Sequence, residues 1–279
     1  MIKNNAEKNL NKILKNINHF FCISHFNGDI SWVKNIKNKN YIIYNKSGKD
    51  INHITDNYIS IKNVGYNIYS YLKFIISNYD DLPKVTVFCK DNIFTRHIST
   101  EMFLKLIKRK CFTNLEIAKQ NIFPINLNVS DNSYVEINNS WYKFDLPRKY
   151  FSEYNDFYSF VFKCDNFPDF IRFSPGANFI VPKENILLRS KKFYENLIMF
   201  IDYSKLSCES HFLERSLVTI LNSNVESSYS MDHEITKSDL ILLEKCCKSK
   251  ILKEYKVFRK FKNFIITKLM NLLYKIMKF

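Results

Sequence analysis

Short apolar runs separated by polar loops dominate the first third of the chain. The runs at 19–24, 41–44 and 58–61 have the length and character of buried strands, and the β-branched, aromatic stretch KVTVFCKDN adds a fourth. Between the last two strands, residues 67–78 show helical spacing of their apolar side chains, at Ile68, Tyr71, Leu72, Ile75 and Ile76. This order of strands and helix predicts an α/β sheet with helical crossovers.

The pattern becomes less regular beyond the fourth strand. Residues 101–110 are predicted to be helical, whereas residues 111–173 are aromatic and rich in Asn, with few clean periods. A strand is predicted from Asn178 to Val181, ended by Pro182, and the stretches RSKKFYENLIMFIDYS and SCESHFLERSLVTIL after it have helical spacing. The predicted organisation has four parts: an N-terminal helix or arm at 1–18, an α/β domain at 19–238, an irregular insertion within it at 111–173, and a helical tail at 239–279.

Polar residues follow three of the predicted strands at the point where each strand ends. They are His25 to Asp29, Tyr44 to Lys46, and Lys90 to Asn92. In open α/β sheets, ligands bind in the crevice at the carboxyl ends of the strands. The sequence therefore predicts a ligand site at this edge of the sheet.

The cysteine content favours a reducing compartment. Seven cysteines are present, an odd number without a C-x-x-C pair, so free thiols are expected. The N-terminus lacks the continuous apolar core of a signal peptide, and no run approaches the roughly 20 apolar residues of a membrane span. A cytoplasmic protein is therefore predicted.

Basic charge is concentrated at the C-terminus. The net charge is +15, and the segment 245–279 holds eleven Lys or Arg residues and one acid. On a helix, the apolar residues of this segment gather on one face, and most of its lysines lie opposite. The apolar positions are Ile251, Tyr255, Phe258, Ile265, Leu269, Leu272, Leu273 and Ile276.

A basic amphipathic helix of this kind is typical of a membrane-surface anchor. The alternative is a helix that packs on the core of the protein or on a partner chain. Nucleic-acid binding is disfavoured, because the apolar face is too large for a phosphate-tracking surface and the rest of the chain is nearly neutral. We therefore expect a peripheral location on the anionic inner face of the cytoplasmic membrane, with no nucleic acid as partner.

Three groups of motifs carry a resemblance to a known family. The stretch HFNGDISW, from His25 to Trp32, matches an opening of the form H-Y-N-E-D-L-x-W. Further matches occur in a middle group, at Asn63-Val64-Gly65, Tyr71-Leu72, Asn78-Tyr79, Leu82-Pro83 and Val87-Phe88, and in a late group, at Gly176-Ala177, Phe179, Phe193-Tyr194 and Leu213-Glu214-Arg215. The chain resembles an uncharacterised domain family of bacterial polysaccharide gene clusters and fungi, with Asn67 in place of the family's usual acid.

The resemblance implies a fold and an activity. The layout of that family is similar to nucleotide-sugar glycosyltransferases with an A-type, Rossmann-like mixed sheet and flanking helices. The implied reaction transfers a sugar from a nucleotide-sugar donor to a surface polysaccharide or lipid-linked glycan acceptor. The alternative is a non-catalytic, membrane-associated scaffold of the same pathway that retains the fold.

The loop after the first strand is the first candidate for binding the nucleotide. Its candidate residues are His25, Asn27, Gly28 and Asp29. They can bring backbone N–H groups and a carboxylate near a base and ribose. Asn63 and Gly65 open a predicted helix, whose N–H groups could meet an anion. The plainer interpretation is a turn at Asn-Gly-Asp and a helix cap at Asn63.

A metal site is expected after the fourth strand if the diphosphate of the donor is neutralised by Mg²⁺ or Mn²⁺. The related fold places a D-x-D motif there, where this chain has Cys89, Lys90 and Asp91, with a single acid. Asp91 could still form a site with His97. Cations such as Lys90 and Arg96 could neutralise the diphosphate instead.

Glu214 is the candidate general base for the acceptor hydroxyl. It lies on a predicted helix late in the sheet domain, where related folds often place a catalytic carboxylate. The alternative is an exposed glutamate paired with Arg215 or Lys205. His211 is predicted to be either an acceptor-site group or a solvated side chain. The order of residues shows no Ser-His-Asp or Cys-His arrangement, zinc spacing or P-loop.

Overall fold

The computed structural model describes residues 2–116, 134–138, 147–164, 166–223 and 231–276. The strands are β1 Phe20–His25, β2 Tyr41–Asn45, β3 Tyr58–Ser60, β4 Val85–Lys90, β5 Thr113–Asn114, β6 Tyr134–Ile137, β7 Phe170–Phe173 and β8 Phe179–Pro182. The helices are α1 Ile2–Leu14, α2 Ile68–Asn78, α3 Thr100–Leu106, α4 Tyr154–Phe162, α5 Lys183–Ile186, α6 Lys191–Met199, α7 Cys208–Asn222 and α8 Lys237–Ile276.

Six of the described strands form one mixed sheet, in the order β3-β2-β1-β4-β8-β5. β1 pairs in parallel with β2 and β4, β2 pairs in parallel with β3, and β8 runs antiparallel to β4 and β5. β6 and β7 form a separate antiparallel pair. The predicted α/β class and the mixed sheet are thus confirmed. Because β1, β2 and β4 are parallel, the loops that follow them emerge at one edge of the sheet.

Alternating side chains of the central strands enter two hydrophobic cores. Cys22 and Phe88 belong to a core built with α2, α4, α6 and α7, whereas Phe21 and Ile23 belong to one built with α1 and α3. Burial on both faces explains the nearly continuous apolar run of β1. All seven cysteines are free, as predicted.

Part of the predicted insertion at 111–173 is regular. It contains β5, β6, α4 and β7, so the expectation of an irregular segment is wrong for these parts. In α4, buried side chains recur at helical spacing, at Tyr154, Phe157, Tyr158 and Val161. Neighbouring aromatic residues obscure this period in the sequence. Outside the described residues lie 117–133, 139–146 and 165.

The first turns of α8 are attached to the core. Leu243 packs against the larger core, and Cys247 is buried. Lys250 pairs with two carboxylates at the start of α4, at 2.7 Å from Glu153 and 2.6 Å from Asp156. These contacts fix the direction in which the rest of the helix leaves the core.

The next part of α8 is exposed on all sides. From Leu252 to Met270 every side chain is exposed, including Phe258, Phe261 and Phe264. At about 1.5 Å per residue the segment extends roughly 28 Å. Packing on the core, one of the two alternatives for the tail, therefore does not apply to this segment. The predicted apolar positions beyond 270 lie outside the described side chains. Within the ranges described, no helix combines the length and apolar character that a membrane crossing requires.

Candidate functional site

A cleft of about 490 Å³ lies at the carboxyl edge of the parallel strands. Residues that follow β1, β2 and β4 line it, and the segments before α2 and α7 complete the lining. The lining consists of Ser24, Phe26, Asn27, Gly28, Lys46, Asn63, Tyr66, Asn67, Lys90, Asp91, Asn92, Arg96, Lys205 and Leu206. A cavity thus occupies the edge where the polar loops were predicted to bind a ligand.

Asp91 is the centre of a hydrogen-bond network at the end of β4. Its Oδ2 accepts from His25 Nδ1 at 2.9 Å, from the Phe26 N–H at 2.8 Å and from the Gly28 N–H at 2.7 Å. Its Oδ1 accepts from the Asn92 N–H at 2.8 Å. Burial alone would raise the pKa of Asp91, but the bonds from His25 and the backbone lower it below its usual value. The network fixes the loop after β1 against the end of β4.

Because of this network, the residues of the predicted nucleotide-binding loop have different roles. Asn27 and Gly28 line the cleft, whereas His25 is buried and holds Asp91. A Cβ at Gly28 would lie 2.6 Å from Asp91 Cγ, so the loop can approach the carboxylate only with glycine there. Asp29 turns away to Ser31, whose N–H and hydroxyl it accepts at 2.8 and 2.9 Å.

Two of the three N–H groups predicted to meet an anion before α2 already donate to backbone carbonyls. Asn63 lines the cleft, but the Val64 N–H donates to Lys62 O at 3.1 Å and the Gly65 N–H donates to Ser204 O at 2.7 Å. The helix itself begins only at Ile68. The prediction that the N–H groups at Asn63 to Gly65 open the helix and meet an anion is therefore wrong for Val64 and Gly65.

Lys46 belongs to the polar segment that was predicted at the end of β2, but no role in binding was predicted for it. Its Nζ donates to two backbone carbonyls, at 2.5 Å to Val64 and at closer range to Tyr66. Burial lowers the pKa of Lys46 to about 7. An ammonium group of marginal charge therefore lies in the lining of the cleft. Its position next to a strand end was the signal that could have identified it.

Lys90 and Tyr66 form a second pair in the cleft. Lys90 Nζ donates to the Tyr66 hydroxyl and lies 4.0 Å from the centroid of its ring. Burial lowers the pKa of Lys90 to about 8, although Glu214 and Glu116 oppose the change. Tyr66 has a φ of 53°, a strained value for a residue other than glycine. Sequence patterns carry no signal for this backbone conformation.

The lining of the cleft is rich in basic side chains. Among the described residues that line it, Lys46, Lys90, Arg96 and Lys205 are basic, and Asp91 is the acid. The aromatic ring of Phe26, 37% exposed, also faces solvent, with Lys205 Nζ 4.6 Å from its centroid. Clustered cations with low-dielectric walls attract an anionic ligand.

The two residues predicted to be catalytic do not line the cleft. Glu214 is buried on α7, where Oε1 accepts from the Gly176 N–H at 2.7 Å and Oε2 accepts from Arg215 Nη1 at 3.2 Å. Arg215 also donates from Nε to Glu136 on β6, at 2.7 Å. Glu214 thus ties α7 to the turn before β8, and the predicted pairing with Arg215 occurs in a buried setting. His211 is half-buried on the same helix.

His97 is paired with a carboxyl that the sequence analysis did not select. Its Nδ1 lies 2.9 Å from Glu116 Oε2. Burial, with Lys90 and Arg96 nearby, lowers the pKa of His97 to about 3. Burial also raises the pKa of Glu116 to about 9, although Lys90 opposes the change. Burial therefore disfavours the charged form of each partner.

Asp91 and His97 do not fit the predicted metal site. Asp91 accepts four hydrogen bonds, three on Oδ2 and one on Oδ1, and these bonds hold the loop after β1. His97 is bound to Glu116 and makes no hydrogen bond with Asp91. Within the described ranges, no group of three or more His, Cys, Asp or Glu side chains could hold a metal ion. The cations of the cleft are therefore the groups available to an anionic ligand.

Comparison with known proteins identifies a family but no activity. Residues 23–228, about three quarters of the chain, match the family described as "Protein of unknown function (DUF3431)". The three groups of sequence motifs and every residue of the cleft fall within the matched region. No curated protein and no solved structure matches the chain.

Proposed function

This chain belongs to the family of proteins of unknown function DUF3431, and we propose that it is a glycosyltransferase-like enzyme. The proposed reaction transfers a sugar from a nucleotide-sugar donor to a cell-surface polysaccharide or lipid-linked glycan acceptor. The observation that carries the proposal is the cationic cleft at the carboxyl edge of the parallel strands of the mixed sheet, where α/β proteins bind nucleotides. On this proposal the sheet is related to the glycosyltransferase A-type fold.

The lining of the cleft supports a position for each part of the donor. The exposed ring of Phe26 offers a stacking surface for the base, beside Asn27. Lys90, Arg96 and Lys46 would face the diphosphate. As the glycosidic bond breaks, negative charge grows on the diphosphate, and fixed cations in a partly buried site stabilise that charge. In the proposed reaction these cations of the chain neutralise the diphosphate, since the described residues around Asp91 include no group of three His, Cys, Asp or Glu side chains that could hold a metal ion.

A non-catalytic scaffold that retains the fold is the second candidate. A specific observation favours it: Asp91 is the acid in the described lining, and its four hydrogen bonds hold the loop after β1 in place. An inverting transfer needs a base for the acceptor hydroxyl. Glu214 could serve only after breaking its bonds to Gly176 and Arg215.

The tail supports the proposed location on a membrane surface. The exposed part of α8 has apolar and basic side chains, as an interfacial helix has. Each Lys or Arg near an anionic leaflet contributes roughly 1 kcal/mol to binding. A peripheral position on the inner face of the cytoplasmic membrane would bring the cleft to a lipid-linked acceptor.

Thermal shift with a panel of UDP-, GDP- and CMP-sugars tests the proposal. We expect at least one donor to raise the melting temperature of the protein. The increase should be the same in Mn²⁺ and in EDTA, because lysine and arginine side chains, and not a metal ion, are proposed to neutralise the diphosphate. Lys90→Met should abolish the shift. Lys39→Met is the matched control, since Lys39 is exposed and pairs with Asp56 away from the cleft. The absence of a shift with every donor would refute nucleotide binding.

A second assay distinguishes an enzyme from a scaffold. Only an enzyme should release nucleoside phosphate from the donor during incubation with an acceptor extract.

A further inference from the structure

Another cavity lies at the opposite edge of the sheet from the cleft. Its volume is about 510 Å³, and Val85, the first residue of β4, lines it. Lys90, the last residue of β4, lines the cleft, and the length of the strand separates the two residues by roughly 17 Å. An adjoining cavity of about 460 Å³ shares Lys84, Val85 and Lys110 with it. The two cavities together are named the amino-edge groove.

Lysines from three parts of the chain line the amino-edge groove. Lys84 precedes β4, Lys108 and Lys110 follow α3, and Lys183 begins α5. Among the described residues of the lining, Glu184 is the acid. In the part of the chain that the structure describes, none of these four lysines forms an ion pair. Positive charges that gather around a cavity without counter-charges attract an anion.

The backbone that carries these lysines is held in place by hydrogen bonds. The Lys183 N–H donates to Lys84 O at 3.0 Å, which ties the start of α5 to the residue before β4. Buried His19 donates from Nε2 to Arg109 O at 3.0 Å, and the Arg109 N–H donates to Leu106 O at 2.9 Å. A ligand therefore does not have to order these segments when it binds.

The remaining wall of the groove is apolar. Ile13 on α1, Ile17 after it and Val85 line the larger cavity, and Leu187, 44% exposed, lines the adjoining one. Ile13 and Ile17 are half-buried and pack against the core built with α1 and α3. A small inorganic anion would contact the lysines and leave this apolar surface in water. A phosphate attached to a hydrocarbon chain would contact the lysines and cover the apolar wall as well.

We propose that the amino-edge groove binds a lipid phosphomonoester, with the phosphate at the lysines and the hydrocarbon chain along Ile13, Ile17 and Val85. A phosphomonoester carries about two negative charges near pH 7 and has three acceptor oxygens. Several converging ammonium groups suit this charge better than that of a phosphodiester, which carries about one. The site is separate from the cleft, so it does not depend on the proposed function.

Calorimetric titration of the full chain with three soluble probes tests this site. The probes are dihexanoyl phosphatidic acid, glycerol 3-phosphate and dihexanoyl phosphatidylcholine, each kept below any micelle concentration. We expect phosphatidic acid to bind most tightly. Glycerol 3-phosphate should bind at least about tenfold more weakly, because burial of two CH₂ groups supplies about this factor. Phosphatidylcholine has the same chains but no net charge, and it should lose at least about tenfold as well.

A double variant tests the lysines. Lys84 and Lys110 line both cavities, so Lys84→Met with Lys110→Met should weaken the binding of phosphatidic acid at least about tenfold. Lys105→Met with Lys256→Met is the matched control, since it removes two exposed charges outside the groove. Lys105 lies on α3 and pairs with Glu101, and Lys256 lies on the exposed part of α8. The control should keep the affinity of the wild type.

Each contrary result would overturn the proposal. Equal affinity for glycerol 3-phosphate and phosphatidic acid would indicate a simple anion site, and equal affinity for phosphatidylcholine would exclude a role for the lysines. Unchanged binding in the Lys84 and Lys110 variant would locate the lipid elsewhere, on the tail or in the cleft. Failure of phosphatidic acid to bind would exclude the site. The wild-type comparison of the probes decides the question even if the variant does not fold.

Discussion

A single carboxylate, Asp91, determines the shape of the loop that follows β1. It accepts hydrogen bonds from His25 and from three backbone N–H groups, and its side chain is only 8% exposed. We expect Asp91→Asn to lower the free energy of unfolding by about 3 kcal/mol, because it removes the charged acceptor of several buried hydrogen bonds and turns part of that acceptor into a donor. Urea denaturation measures the change. Asp56→Asn removes an exposed carboxylate and should leave the stability nearly unchanged.

The same residue predicts part of the acid sensitivity. Hydrogen bonds depress the pKa of folded Asp91 despite its burial. A depressed carboxyl pKa gives stability that is fully present above the unfolded pKa, near 4, and is lost as the pH falls through the folded pKa. In denaturation curves between pH 5 and pH 3, Asp91→Asn should therefore show a shallower loss of stability than the wild type. Equal slopes would contradict the assignment.

For the proposed function, two buried lysines predict how the binding of a nucleotide sugar depends on pH. Burial lowers the pKa of Lys46 to about 7 and of Lys90 to about 8. A bound diphosphate favours the protonated amines, so affinity should be full below pH 7 and fall as the pH rises through 7 and 8. Titrations from pH 6 to 9 should use a nucleotide sugar, whose phosphates do not titrate in this range. Lys46→Met should flatten the profile, and a profile that rises with pH would refute this role.

At the scale of elements, the turn between β7 and β8 depends on the absence of one side chain. Gly176 has a positive φ and lies against the ring of His97. Gly176→Ala should lower the free energy of unfolding by about 3 kcal/mol, from backbone strain and the clash together. Gly48→Ala is a matched control, because Gly48 has a φ of 70° and nothing within 4 Å of the added Cβ. It should lose only about 1 kcal/mol. Similar losses in the two variants would contradict the close packing at His97.

The elements that the sequence predicted well are those with a long or simple period. β1, β2, β4, α2 and α7 appear within a few residues of their predicted ranges, because burial imposes the pattern on consecutive side chains. β5 has two residues and β6 has four, which is too short for a period to be recognised. The helical period of α4 is present in the sequence, but neighbouring aromatic residues obscure it.

The site was predictable in position but not in detail. The polar loops at the carboxyl edge do surround a cleft, because strand direction alone brings them together. The role of Lys46 depends on carbonyls that face it from another loop, at Val64 and Tyr66. Glu214 is a carboxylate on a helix where related folds place a catalytic base, yet its side chain binds the Gly176 N–H. Such contacts arise from tertiary packing, which no local spacing encodes.

On the scale of the whole molecule, basic residues are concentrated in a tail that projects from the compact part of the chain. Residues 245–279 carry eleven of the Lys and Arg residues and a single acid. The contacts of α8 with the core end near Lys250, and the side chains from Leu252 to Met270 are exposed. Nothing in this exposed segment contributes buried surface to the fold, so the tail and the cleft should act independently of each other.

Deletion of 252–279 tests this independence and the membrane proposal together. Eight Lys or Arg residues are removed, while Lys250 keeps its pairs with Glu153 and Asp156. The free energy of unfolding and the affinity for nucleotides should therefore stay the same. Sedimentation with phosphatidylserine vesicles should fall to the level seen with neutral phosphatidylcholine, because each lost cation removes roughly 1 kcal/mol of attraction. If the shortened chain still binds anionic vesicles, the membrane contact lies elsewhere on the protein. If it unfolds, residues beyond Leu252 support the core in a way that their exposure does not reveal.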